Sequence, residues 1–121
     1  MPLRYLLDEH LRGLFWRHVR QYDATNTERL DVVRVGDPPD LPLGTDDLRI
    51  LQWCERESRI LVSMDRRTLP NHLRAHVAAG RISPGIFIVR QVPVSQAVEF
   101  LVVAAYASDP SEREDQINPI P

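Results

Sequence analysis

The sequence predicts a three-layer α/β domain, with a mostly parallel central sheet of four to five strands and helices on both faces. Short apolar runs alternate with longer segments whose apolar residues recur at helical spacing, and that order builds parallel sheets through right-handed crossovers. The first run is apolar without alternation, as expected for an internal strand buried on both faces. A chain of 121 residues suits one domain with a real core.

Strand one spans Arg4 to Leu7. A helix from Glu9 to Tyr22 follows, with Leu11, Leu14, Phe15, Val19 and Tyr22 on its apolar positions. Strand two spans Leu30 to Val35. Residues 36–45 carry three prolines and two glycines and form a loop. Helix two runs from Asp46 to Ser58, strand three from Ile60 to Ser63, and helix three from Leu69 to Ala79, with Pro70 in its first turn and Gly80 past its end. Ser83, Pro84 and Gly85 make a turn before strand four, Ile86 to Arg90. The last helix, Pro93 to Ala107, has Val98, Leu101, Val102 and Ala105 on one stripe, and Phe100, Val103 and Tyr106 off it. Apolarity on so many sides implies a second covered face, hence a homodimer or a bound partner. Residues 1–107 read as the domain and 108–121 as a polar, acidic, proline-bearing tail.

The basic residues comprise 15 arginines and no lysine, within a net charge of −2. Without lysine, a Walker A phosphate loop and a phospho-acceptor receiver domain are excluded. None of the five glycines forms a dinucleotide-binding fingerprint. The lone Cys54 rules out a disulfide framework and points to a reducing compartment. With no signal-peptide start and no run approaching a membrane span, the expected setting is the cytoplasm.

Three carboxylates stand out: Asp8 after the first strand, Asp65 after the third, and Asp47 opening helix two. Ligands of open α/β sheets bind outside the carboxyl ends of the strands, where residues distant in sequence converge. Asp47 shares a helical stripe with Ile50, Leu51 and Cys54, so the face packed on the sheet begins with a charge. Each residue also has a local explanation. Asp8 suits a helix cap and Asp65 the closure of a tight turn, while Asp46 and Asp47 complement a helix dipole or cap it, with Thr45 as the alternative cap. Two carboxylates about 5 Å apart repel by roughly 3 kcal/mol at an effective dielectric near 20, so three converging ones call for a cation or raised pKa values. Mg²⁺ or Mn²⁺ fits an all-oxygen site, with hydrolysis at phosphorus as the chemistry it supports. His10, His18, His72 and His76 do not combine with cysteines into a zinc pattern. His72 and His76 have ligand spacing but no third ligand in their segment.

Three blocks, Leu6-Leu7-Asp8-Glu9-His10, Asp47 to Cys54 and Ser58 to Asp65, together resemble the PIN-like family of small bacterial proteins related to VapC toxins. The likeness covers about residues 3–91. It implies a PIN-type sheet, Mg²⁺- or Mn²⁺-dependent RNA cleavage by a ribonuclease, and a toxin–antitoxin pairing with a small DNA-binding antitoxin-like protein. It carries over Asp8, Asp47 and Asp65 as metal-binding and catalytic carboxylates, and Glu9 as a further ligand that the helix turns away from Asp8. This chain departs from the pattern at His10, where the family has asparagine, and at Arg67, where it supplies an acid. A guanidinium there weakens metal capture by repulsion or grips a scissile phosphate.

Arg66, Arg67 and Arg74 form a candidate RNA-binding patch, with a solvated helix face as the alternative. Trp16 and Trp53 read as packing residues rather than base-stacking platforms. The expectation is therefore a metal-dependent endoribonuclease of PIN type. Its alternative is a catalytically impaired PIN-fold binding protein acting through a protein partner, with a small-molecule phosphatase behind both.

Overall fold

The computed structural model describes residues 2–121. Its five strands are β1 (Arg4–Leu7), β2 (Asp31–Arg34), β3 (Ile60–Ser63), β4 (Ile86–Val89) and β5 (Ile117–Ile120). They form one all-parallel sheet in the order β2-β1-β3-β4-β5. Four helices connect them: α1 (Leu14–Thr25), α2 (Asp47–Glu57), α3 (Leu69–Ala78) and α4 (Val94–Ala107). The expected three-layer α/β architecture is what forms, and β1 is internal.

Alternation along the strands builds a core on each face. Tyr5, Leu7, Ile60, Val62 and Phe87 pack with Phe15 and Val19 of α1 and with Ala97, Val98, Leu101, Ala104 and Ala105 of α4. Leu6, Leu61, Ile86 and Ile88 pack with Ile50, Leu51, Trp53 and Cys54 of α2 and with Leu69 and Leu73 of α3. Removing any of these large side chains costs about 2–5 kcal/mol. Burial pushes the Cys54 thiol far above its ordinary pKa, against the opposing charge of Arg59. Trp53 is buried, and Trp16 lies under the Arg34 guanidinium 4.4 Å from its ring centre, so both tryptophans pack as expected.

Three expectations are corrected. The helix predicted from Glu9 is broken: Glu9–Leu11 is a single 3-10 turn, and α1 starts only at Leu14. Gly13 adopts φ −87°, ψ −110°, outside helical geometry, and a glycine weakens a helix interior by about 1 kcal/mol relative to alanine. The break leaves Leu14, expected on the core stripe, 55% exposed.

Residues 108–121 are not a free tail. Pro110–Arg113 form a second 3-10 turn, and β5 pairs in parallel with β4. Pro119 is tolerated because β5 is an edge strand. The approach requires Gly85, whose φ is +128°. A Cβ there would lie 2.6 Å from the Arg113 carbonyl oxygen. Asp115 closes the same corner by accepting from the Ser83 N–H at 2.8 Å.

The second apolar face expected on α4 shrinks as well. Phe100 packs edge-on against Phe87 with ring centres 5.3 Å apart, leaving Val103 and Tyr106 as the exposed large apolar residues of that helix.

Candidate metal and nucleic-acid site

Strand order reverses between β1 and β3, the place where open α/β sheets bind ligands beyond their carboxyl ends. Asp8 leaves β1 there. Its backbone N–H extends the ladder to the Val62 carbonyl at 3.0 Å. One carboxylate oxygen accepts from the Glu9 N–H at 2.7 Å, so Asp8 caps the short turn that follows. The other accepts from the Ser63 hydroxyl at 2.8 Å.

Asp65 follows β3 and is fixed by its own turn. Its Oδ1 accepts from the N–H groups of Arg67 and Thr68, each at 3.0 Å, and its Oδ2 accepts from the Thr68 hydroxyl. The Thr68 bonds, hydroxyl first, hold the Asp65 carboxyl below its ordinary pKa against some desolvation, with the Arg67 N–H and the charge of His72 adding to them.

Asp47 is half-buried at the start of α2. Asp46 takes the capping role, accepting from the Arg49 N–H at 3.0 Å, which leaves Asp47 free of it. Burial pushes the Asp47 carboxyl up, and the charges of Asp8, Asp65 and Asp46 push it further, while His72 opposes them. His72 lies with Nε2 3.4 Å from Asp47 Oδ2. Neighbouring carboxyls driven in opposite directions are a pattern common where acid–base chemistry occurs, although structural ion pairs produce it too.

The three aspartates thus lie at one edge, and the charges of Asp8 and Asp65 act on Asp47. They do not form a coordination shell as placed: among the described residues, no group of three or more His, Cys, Asp or Glu side chains is arranged to hold a metal ion. The expectation that their oxygens already surround one point is not met, and the oxygens of Asp8 and Asp65 accept from turn N–H groups and hydroxyls instead. The donor chemistry nevertheless fits a hard divalent cation. Carboxylate oxygens keep a second lone pair after accepting one hydrogen bond, and ligating carboxylates are commonly themselves hydrogen-bonded by neighbours such as Ser63 and Thr68.

Glu9 turns elsewhere, its Oε1 accepting from the Gly44 N–H at 3.1 Å. The arginine patch divides. Arg66 lines a groove at this edge, Arg67 is exposed, and Arg74 is exposed on α3 with Nη1 donating to Asn71 Oδ1 at 3.1 Å. Among the described residues, neither Arg66 nor Arg67 forms a salt bridge.

Sequence reasoning missed two residues. Ser63 is fully buried and bridges the site, donating to Asp8 and accepting from the Asp65 N–H at 3.1 Å. Its signal was a hydroxyl ending an otherwise apolar strand. His72 was considered with His76, but the structure separates them: His76 is buried, 2.9 Å from Glu55 Oε1 and 3.2 Å from the Ile82 carbonyl oxygen. Comparison with protein-family models, with curated proteins and with solved structures found no match to this chain, so its likeness to PIN-like proteins rests on the three sequence blocks.

Proposed function

We propose that this chain is a Mg²⁺- or Mn²⁺-dependent ribonuclease of PIN type that uses Asp8, Asp47 and Asp65. One observation carries the reading. Carboxylates from three separate segments lie along the edge where strand order reverses, and the charges of Asp8 and Asp65 help raise the Asp47 carboxyl. Local bonds account for Asp8 and Asp65 singly, but the half-buried Asp47 caps nothing, and its nearness to their charges is unfavourable for stability. A hard divalent ion bound at this edge would supply polarisation of the scissile phosphate.

The protein's own groups do the rest. Asp65 is anchored in its turn, Asp47 is the half-buried carboxyl beside His72, and Ser63 orients Asp8. Among the described residues no helix is long and apolar enough to cross a membrane, and the single buried thiol accords with a reducing, cytoplasmic setting. A toxin-like role beside a small DNA-binding partner follows from the resemblance alone.

The second reading, a catalytically impaired binding protein acting through a protein partner, is favoured by the bonds that already occupy Asp8 and Asp65. Calorimetric Mn²⁺ titration and cleavage of a labelled single-stranded RNA separate the two. We expect micromolar-range Mn²⁺ binding and cleavage, with both lost in Asp65→Asn. A folded wild-type protein that neither binds Mn²⁺ nor cleaves RNA overturns the nuclease reading and leaves the binding one.

A further inference from the structure

A groove of about 960 Å³ opens at the same carboxyl edge on the α1/α4 side. It is lined by residues that follow β1, β3, β4 and β5. Arg66, Arg90 and His10 line it, yet no Asp or Glu does, in a chain with 17 acidic residues. Among the described residues, none of those three side chains makes a hydrogen bond or salt bridge within the protein. The same groove is lined by Leu14 and Met64, 55% and 57% exposed, together with Val92. Large apolar side chains left open in a groove with two unpaired arginines suit a ligand with flat apolar faces and repeated negative charge.

The groove draws on the same chain segments as the candidate metal site, although none of the three aspartates lines it. Met64 and Arg66 flank Asp65 in sequence, and His10 is two residues from Asp8. The break at Gly13 helps form it, because a helix continuing from Glu9 would carry Leu14 onto the core stripe.

The geometry points to this groove as the seat of single-stranded RNA, with a base against Leu14, Met64 and Val92 and the adjoining phosphates on Arg66 and Arg90. The identification of the strand as RNA rests on the proposed nuclease reading; the groove's charge and shape do not. An acidic peptide is the competing occupant, but it would leave the apolar wall of the groove without a planar partner.

The test is an NMR titration of the ¹⁵N-labelled full-length protein with hexauridylate in EDTA, at several salt concentrations. Amide shifts are expected around residues 10–14, 64–66 and 90–92. Arg66→Ala and Arg90→Ala, both at exposed positions, each weaken binding several-fold and reduce the slope of log affinity against log salt by about 0.7. Met64→Glu, which places a carboxylate in the acid-free groove, weakens binding further.

The inference is overturned if hexauridylate causes no shifts, if the shifts centre on Arg74 and α3, if both arginine variants bind like the wild type, or if hexaglutamate produces the same shifts with equal affinity. Because no metal is present, the outcome is independent of catalysis. Asp65→Asn is expected to keep hexauridylate binding. Binding without Mn²⁺-dependent cleavage would retain the groove and discard the nuclease.

Discussion

The two ends of the parallel sheet handle charge in opposite ways. At the amino end, the buried Arg59 guanidinium sits 2.8 Å from Asp31 Oδ1 and donates to the Tyr5 carbonyl at 3.0 Å, so one cation ties together the starts of β1, β2 and β3. Arg4 adds a bond to Asp31 at 3.2 Å and another to the Glu57 carbonyl at 3.0 Å. At the carboxyl end the charges of Asp8 and Asp65 act on Asp47, which lies beside His72, and two arginines and a histidine have no partner in the nearby groove. Matched charges close the first end as scaffold. The unmatched charges of the second await something from outside the chain.

Removing the cation at the closed end is expected to have the largest effect on stability. Arg59→Ala leaves a buried carbonyl without its donor and Asp31 with Arg4 alone, and should cost about 2–3 kcal/mol, below the usual figure for breaking a buried pair because Asp31 is half-exposed and keeps that partner. Urea unfolding checks it, and a loss under about 0.5 kcal/mol would erase the contrast between the ends.

At the open end the converse holds. Asp8→Asn can still accept the Glu9 N–H, so its midpoint should move by less than about 1 kcal/mol while Mn²⁺ binding disappears. Destabilisation well beyond that would assign Asp8 to the scaffold.

A smaller effect sharpens the comparison through pH. Desolvation raises Asp37, but hydrogen bonds from Arg34 and Arg12 outweigh it and hold the carboxyl below its ordinary value. A depressed carboxylate stabilises the fold above its unfolded pKa, near 4, and loses that contribution as pH falls through the folded value. Acid titration of stability should therefore be shallower below about pH 4 in Asp37→Asn than in the wild type. Identical acid limbs would show that the pair adds nothing in solution.

The smallest change belongs to Arg67. Its side chain is exposed, and its charge does not figure among those that shift Asp47 or Asp65. Arg67→Asp should leave stability within about 0.5 kcal/mol of wild type. Its Mn²⁺ affinity should change little, against the sequence-based expectation that an arginine here weakens metal capture.

Local pattern made much of this legible. The runs that became β1 and β3 carry their apolarity openly, and the Asp47, Ile50, Leu51, Cys54 stripe foretold both the packed face of α2 and the carboxylate at its start. β5 was hidden because Ile117-Asn-Pro-Ile120 follows an acidic stretch and contains a proline, features of a tail. Only pairing with β4 and the space left by Gly85 make it a strand. Ser63 and His72 were obscure for a similar reason. Their roles depend on partners 55 and 25 residues away, which no window of local periodicity contains. The groove was invisible because it exists only once a helix breaks at Gly13 and four strand ends stand side by side.

The burial of Cys54 has a practical consequence. A thiol sealed in the core and held protonated reacts slowly with maleimides, and the chain has no lysine side chains to compete for amine reagents. A single cysteine introduced at an exposed position would carry a fluorophore or spin label with little background, on the natural sequence and without first removing the native thiol.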